Sequence, residues 1–280
     1  MTAILISQPG SDHQMAQLIR ATRQAIAGVS PPSRQDSLQG GHRLWISAGW
    51  ARMVRMNEMA QLIERREGPY GEVVLRRRGE CFEIIANGCF LMDSSDGRSE
   101  RLLISAALDI LGQPHGVSLL IGGLGIGFSL AEASADSRPR QICVVERERA
   151  VIDWHTRGTK PLRRFAGTGH DDPRARIVHD DLLQHLRTAS ERYDAVCLDI
   201  DNGPGWTMTD DNRGVYEPAG LAILERALTG RGVLSVWSSA QAAEFTGRLA
   251  SRFARVVTME VPALAGRRGQ PDLVILASRA

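Results

Sequence analysis

Apolar positions recur along this chain with two periods, and the change from one to the other divides it. Over 11–27, Met15, Leu18, Ile19 and Ile26 fall at helical spacing behind Ser11 or Asp12 as N-cap. Pro31-Pro32 and the polar stretch to Gly41 end that pattern. A second helix is predicted over 48–65, with Trp50, Met53, Met56, Met59, Leu62 and Ile63 as an apolar stripe among arginines. Such a stripe suits docking onto the main body or onto a second copy in a homodimer; covering a site as a lid is the sharper reading. From Tyr70 the period drops to two: Tyr70–Leu75, Cys81–Ile85 and Cys89–Met92 read as strands, joined by turns at Arg76–Gly79 and Asn87-Gly88.

Beyond about residue 98 helices and strands alternate. Helices are predicted over Glu100–Leu111, from Phe128, over Leu221–Leu228 with a stop at Gly230, and over Gln241–Phe253. Strands are predicted at Val117–Ile121, Gln141–Val145, Arg176–His179, Asp194–Leu198, Val233–Trp237, Val256–Val261 and Leu273–Ala277. Strands alternating with helices imply a parallel sheet covered on both faces, and the last two, joined without a helix, imply an antiparallel edge. The expected organisation is an N-terminal helical segment (1–67), a small antiparallel sheet (68–97) and a doubly wound α/β body of seven strands (98–280).

Composition narrows this modestly. The 280 residues are 43% hydrophobic and 24% charged, and 34 basic against 32 acidic side chains leave a net charge of +2. A chain this long can bury a full core without disulfides or metals. Near-balanced charge gives no nucleic-acid footprint, and the partner expected from the motifs below is a small-molecule substrate. Cys81, Cys89, Cys143 and Cys197 form no CxxC pair and have no histidine at zinc spacing, so they read as reduced and no metal is expected. With no leader and no long apolar run, a cytoplasmic protein without membrane association is expected.

Four motifs carry chemistry. In Ile121–Gly127, four glycines (Gly122, Gly123, Gly125 and Gly127) fall within six residues between a strand and a helix, where backbone can approach a ligand at a helix N-terminus. Glu146 ends the next strand, 23 residues beyond Gly122, where a carboxylate accepts both hydroxyls of a ribose. NAD and S-adenosylmethionine (SAM) both satisfy that pair. Asp180 and Asp181 follow the third strand; one suits an adenine amine and the other a helix cap. In Tyr193–Pro204, Asp199, Asp201 and Asn202 stand at the carboxyl end of a buried strand, where an acid and an amide can orient an amine and accept its proton. The polar segment to Arg213 reads as an active-site loop.

From Tyr70 onward the sequence resembles the spermidine synthase (polyamine aminopropyltransferase) family, which carries a class I SAM-binding fold behind a small β-sheet. The matching pieces are Ile121–Gly127, Val144–Glu146, Val178–Asp181, Tyr193–Asn202, Val215–Pro218 and Gly232–Leu234. The resemblance implies Glu146 on ribose, Asp180 on adenine and Asp199 on the attacking amine, with Tyr70 at the family's tyrosine position. Four departures stand out. Gly125 replaces an acid of the glycine loop, Arg98-Ser99 replace a Tyr-His pair before Glu100, Gly71 replaces a glutamine, and Asn202 replaces the second acid of the strand-end motif. They point away from ordinary spermidine synthesis. With no acid at Gly125 and with Arg98 as a bidentate carboxylate partner, intact SAM becomes the expected substrate. Release of methylthioadenosine would then accompany alkyl transfer to an amine or closure of SAM's own α-amine to azetidine-2-carboxylate. A small-molecule methyltransferase, an aminopropyltransferase of the spermidine synthase type, a non-catalytic nucleoside-binding protein and, more distantly, an NAD oxidoreductase are the alternatives.

Overall fold

The computed structural model describes residues 3–6, 59–112, 116–207, 209–264 and 270–279. In chain order, β1 (Ala3–Ile6) precedes a four-stranded antiparallel sheet of β2 (Gln61–Gly68), β3 (Gly71–Arg78), β4 (Cys81–Ala86) and β5 (Cys89–Asp93). The α/β body follows as α1 (Arg98–Leu111), β6 (Val117–Gly122), α2 (Phe128–Ala135), β7 (Pro139–Glu146), α3 (Arg149–Thr156), a 3₁₀ turn (Arg163–Ala166) and β8 (Ala175–His179). It continues through α4 (Leu182–Thr188), β9 (Tyr193–Leu198), α5 (Asp210–Tyr216), α6 (Pro218–Ala227), β10 (Leu228–Ser238), α7 (Ala243–Ala250), β11 (Arg255–Val261) and β12 (Asp272–Ser278).

The main sheet runs β1-β11-β12-β10-β9-β6-β7-β8. Strands β8, β7, β6, β9 and β10 are parallel; β12 inserts antiparallel between β10 and β11. The seven predicted strands are present with their antiparallel edge, and an eighth is added: β1 pairs antiparallel with β11, Ala3 opposite Met259. A four-residue apolar stretch has too little length to declare a strand on its own; the open edge of β11 supplies the partner.

Buried aliphatic runs explain the central strands: all six residues of β6 are buried, as are Ala195–Leu198 in β9. One face is covered by α1, which buries Leu102, Leu103, Ile104, Ala106, Ala107 and Leu108, and by α2 and α3. The other is covered by α4, α6 and α7 through Leu183, Leu186, Leu221, Leu224, Phe245 and Leu249. Val73, Leu75, Phe82 and Ile84 of the small sheet join the first of these cores. Polar contacts add to that docking: Arg66 Nη1 donates to Asp153 Oδ2 at 2.6 Å and Trp154 Nε1 to Glu64 Oε2 at 2.8 Å, tying β2 to α3.

Three expectations change. The helix predicted over 48–65 is replaced at its end by β2, so the small sheet begins at Gln61 rather than 68; residues 48–58, like the helix predicted over 11–27, lie outside the described residues. Pairing with β3 across the Pro69-Tyr70 turn overrides the helical stripe, whose Met59 and Leu62 are 91% and 55% exposed. The segment expected as a loop to Arg213 ends at Thr209, which caps α5 by accepting from the Asn212 N–H. The helix ending at Ala227 passes directly into β10, without reaching Gly230.

Candidate active site

Strand β6 lies between β7 and β9, so chain connections leave it in opposite directions and open a crevice beyond the carboxyl ends of the sheet. The small sheet roofs this crevice with Tyr70, Val73, Ile84, Leu91 and Met92. The resulting cleft opens to solvent between the small sheet and the carboxyl ends of the strands.

The glycine loop forms its floor. Gly123 (φ +92°) and Gly125 (φ +48°) both face the cleft in left-handed conformations. At Gly123 a Cβ would lie 2.1 Å from the Asp199 carbonyl oxygen, and at Gly125 2.5 Å from the Met92 sulfur, so the loop needs glycine for backbone and for space. Gly122 and Gly127 pack instead of lining the cleft, Gly122 against Leu198 and Leu182 and Gly127 against His155 and Ala166. Beneath the loop, fully buried His155 meets the Gly125 carbonyl through Nε2 at 2.9 Å, and His170 Nε2 meets its Nδ1 at 2.9 Å. Burial holds the His155 pKa down at about 4, so it is neutral; His170 Nε2–H donates to it and it donates to Gly125.

Glu146 is buried at the end of β7. Oε2 accepts from the Leu124 N–H at 2.9 Å and Oε1 from the Glu148 N–H at 2.7 Å. Each oxygen keeps a lone pair for a further donor, which fits the two hydroxyls of a ribose. Burial raises its pKa and these backbone donors oppose the rise. Asp180 and Asp181 reach the same cleft: Asp181 caps α4, accepting from the Gln184 N–H at 2.9 Å, while Asp180 accepts from the Asp181 N–H and stands 3.8 Å from His185.

At the end of β9, Asp199 and Asp201 line the cleft and Asn202 does not. Burial, and then the nearby Asp272 and Glu146 charges, raise the Asp199 pKa to about 7. Asp201 accepts from the Asn202 N–H at 2.8 Å and from Asn212 Nδ2 at 2.6 Å. The Asn202 amide is buried and donates to the Phe90 carbonyl at 3.4 Å, so it braces the small sheet. Arg147 donates to Asn212 Oδ1 at 2.7 Å and stacks its guanidinium 4.4 Å from the Tyr70 ring centre. Tyr70, Arg147, Asn212 and Asp201 thereby link the roof, the sheet and α5 at the mouth of the cleft.

Arg98 stands apart from the lining residues. It chelates Asp96 through Nε and Nη2 at 2.9 and 2.8 Å and donates to the Pro262 carbonyl, so its fork is already filled by a carboxylate.

Glu100 is the residue that sequence reasoning passed over. It sits in the first turn of α1, is only 6% exposed, and lines the cleft. Burial first, and then the Asp199 charge, raise its pKa to about 8. Among the described residues, eight acidic side chains line the cleft against one basic side chain, Arg147. Such a lining selects a cationic ligand. Trp237, near the end of β10, adds an indole N–H that is buried at the cleft wall and has no acceptor among the described residues.

No protein-family model matches the chain. It is 29% identical over 179 residues to polyamine aminopropyltransferase 1 of Streptomyces coelicolor, a match covering 61% of this chain and 33% of that protein. The polyamine aminopropyltransferase of Pectobacterium atrosepticum is 33% identical over 92 residues, covering 32% of this chain and 31% of its own length. Among solved structures, spermidine synthase in complex with the transition-state analogue AdoDATO aligns with a TM-score of 0.65 at 16% identity, covering 79% of this chain and 74% of that one. Spermidine synthase from Thermotoga maritima aligns at 0.62 and 16%, covering 79% and 73%. The chain is similar in sequence to polyamine aminopropyltransferases and shares the fold of spermidine synthase. Its sequence matches span about a third of the length of these curated relatives, and the structural matches establish the shared fold.

Within this spermidine synthase-like fold, the structure brings Tyr70, Gly123, Gly125, Glu146, Asp180, Asp181, Asp199 and Asp201 to one cleft and leaves Gly122, Gly127, Asn202 and Arg98 off its lining. Glu100 and Arg147 join them there. The acidic first-turn position of Glu100 was visible in the sequence, but it reads equally as an ordinary helix-dipole partner. No described group of three or more His, Cys, Asp or Glu side chains is placed to hold a metal ion, and no described helix is long and apolar enough to cross a membrane.

Proposed function

We propose that this protein transfers an aminoalkyl chain from an adenosyl sulfonium to an amine and releases methylthioadenosine. The observation that carries the reading is the buried Glu100–Asp199 pair, facing the same cleft as the ribose-type acceptor Glu146. Glu146, Asp180 and the glycine loop would bind the nucleoside. The acidic lining attracts both cationic reactants, and Glu100 and Asp199, with pKa values near neutrality, bind the ammonium and remove one proton from it. The freed nitrogen lone pair attacks the carbon next to sulfur, the C–S bond breaks, and sulfur leaves with the electron pair as a neutral thioether. Holding both reactants in one cleft supplies much of the acceleration.

The charge distribution favours a decarboxylated donor over intact SAM. A donor carboxylate placed beside Glu100 and Asp199 would meet like charge, and Arg98, the cation expected to receive it, is engaged by Asp96. Of Asp199 and Asn202, the two residues expected to hold the α-amine for cyclisation, Asn202 turns to Phe90 and Asp199 alone lines the cleft. We therefore favour transfer to an external amine over closure to azetidine-2-carboxylate. The names of the relatives, polyamine aminopropyltransferase and spermidine synthase, agree with this reading.

Incubating purified protein with decarboxylated SAM and a panel of diamines should release methylthioadenosine, measured by chromatography, and SAM alone should release none. Asp199→Asn should lower kcat about 100- to 10,000-fold while nucleoside binding persists. S-adenosylhomocysteine as product would replace the reading with a methyltransferase. Methylthioadenosine from SAM alone would replace it with the cyclase.

A further inference from the structure

We propose that Ser99 and Asp272 form a proton outlet, through which Glu100 passes the proton removed from the amine to the rim of the fold. The inference rests on the alkyl-transfer reading, in which an ammonium and a sulfonium become a secondary ammonium, a neutral thioether and one free proton. That proton enters a cleft lined by buried carboxyls and has to leave before the next turnover.

Ser99 Oγ lies 2.9 Å from Glu100 Oε2 and 2.9 Å from Asp272 Oδ2. A serine hydroxyl carries one hydrogen and cannot donate to both. One of the two carboxyls is therefore the donor, and Glu100, the more buried, is the one whose pKa is raised to about 8. The protonated Glu100 Oε2–H donates to Ser99 Oγ, and the Ser99 hydroxyl donates to Asp272 Oδ2. A shift of both hydrogens in one direction moves a proton from the cleft to Asp272 and leaves Glu100 ionised, ready for the next amine proton. The groups facing Glu100 are Asp199 and Asp272, and those facing Asp272 are Asp96 and Arg98. Asp272 is partly exposed, and its neighbour Arg98 is 41% exposed, so the path ends where water can take the proton. Ser99 and Asp272 are separated by 173 residues, and only the approach of α1 to β12 joins them.

The test is methylthioadenosine release between pH 6 and 9 by Ser99→Ala, Ser99→Thr and Asp272→Asn, with nucleoside affinity measured alongside. Ser99→Ala and Asp272→Asn should lower kcat about 10- to 100-fold with KM and nucleoside affinity unchanged and a larger solvent deuterium isotope effect. Ser99→Thr, which keeps the hydroxyl, should restore the rate. Infrared spectra of the wild type at pH 7 should show a protonated-carboxyl component that Glu100→Gln removes and Ser99→Ala shifts, distinct from the Asp199 component that Asp199→Asn removes. A wild-type kcat and pH profile in Ser99→Ala overturns the outlet, as does a Ser99→Thr variant as slow as Ser99→Ala. Absence of the Glu100 component from an active wild-type enzyme overturns the outlet alone, whereas a wild-type protein that turns over no donor sinks the alkyl-transfer reading beneath it.

Discussion

Glu100→Gln tests the electrostatics of the site without any need for substrate. Glu100 is 6% exposed, and burial, with Asp199 second, raises its pKa from an ordinary 4.5 to about 8. An acid whose pKa rises on folding binds its proton more tightly in the folded state. Its contribution to stability is therefore fully present below pH 4.5 and declines as pH climbs towards 8. The rise corresponds to a loss of at most about 5 kcal/mol across that window, and about 3 kcal/mol of it by pH 7. Asp199 is coupled to Glu100 and carries part of the effect, so removing Glu100 alone should recover about 1–3 kcal/mol at pH 8. Glutamine has the shape of protonated glutamate and keeps a donor for Ser99 Oγ. Thermal or urea unfolding should find Glu100→Gln close to wild type at pH 5 and more stable at pH 8, by about 2–6 °C in Tm for a chain of this size. The same variant should lose turnover, since stability and activity draw on opposite requirements here. An offset between variant and wild type that is identical at pH 5 and pH 8 would refute the reasoning.

Two more substitutions separate binding from folding. Glu146→Gln keeps the volume but turns an NH₂ towards the Leu124 or Glu148 N–H and removes an acceptor for ribose; calorimetry should find methylthioadenosine bound about 100-fold more weakly, equivalent to ~3 kcal/mol. Binding within threefold of wild type would remove Glu146 from the nucleoside site. Gly123→Ala places a Cβ 2.1 Å from the Asp199 carbonyl oxygen at φ +92°. Strain and overpacking should together cost about 3–5 kcal/mol in urea unfolding, and a loss below about 1 kcal/mol would show that the loop can shift away from β9.

Much of the floor of the cleft was legible along the chain because it is built from local signals. The glycine loop follows a strand and opens a helix, Glu146 ends the next strand, and Asp180-Asp181 precede a helix start; each needs only its neighbours to be recognised. Asp199 followed in the same way from a buried strand. The inner end was not legible, because its meaning depends on what lies across space. Glu100 is an ordinary first-turn glutamate until Asp199 and Asp272 are brought to it, and its burial, not its position in the helix, moves its pKa. Arg98 and Asn202 lie off the cleft lining for the same reason: Asp96 and the Phe90 carbonyl engage them.

The elements divide along the same line. Period and turn chemistry set β3, β4, β5 and the alternating strands of the body, since each carries enough apolar residues to announce one buried face. β1 and β2 depended on partners instead: four residues at the free edge of β11, and a charged segment whose helical stripe gives way to pairing with β3. Pairing and burial are contacts between distant residues. A chain read in order can therefore locate its strands and its glycine loop, while the charge state of the cleft waits on the fold that removes Glu100 and Asp199 from water.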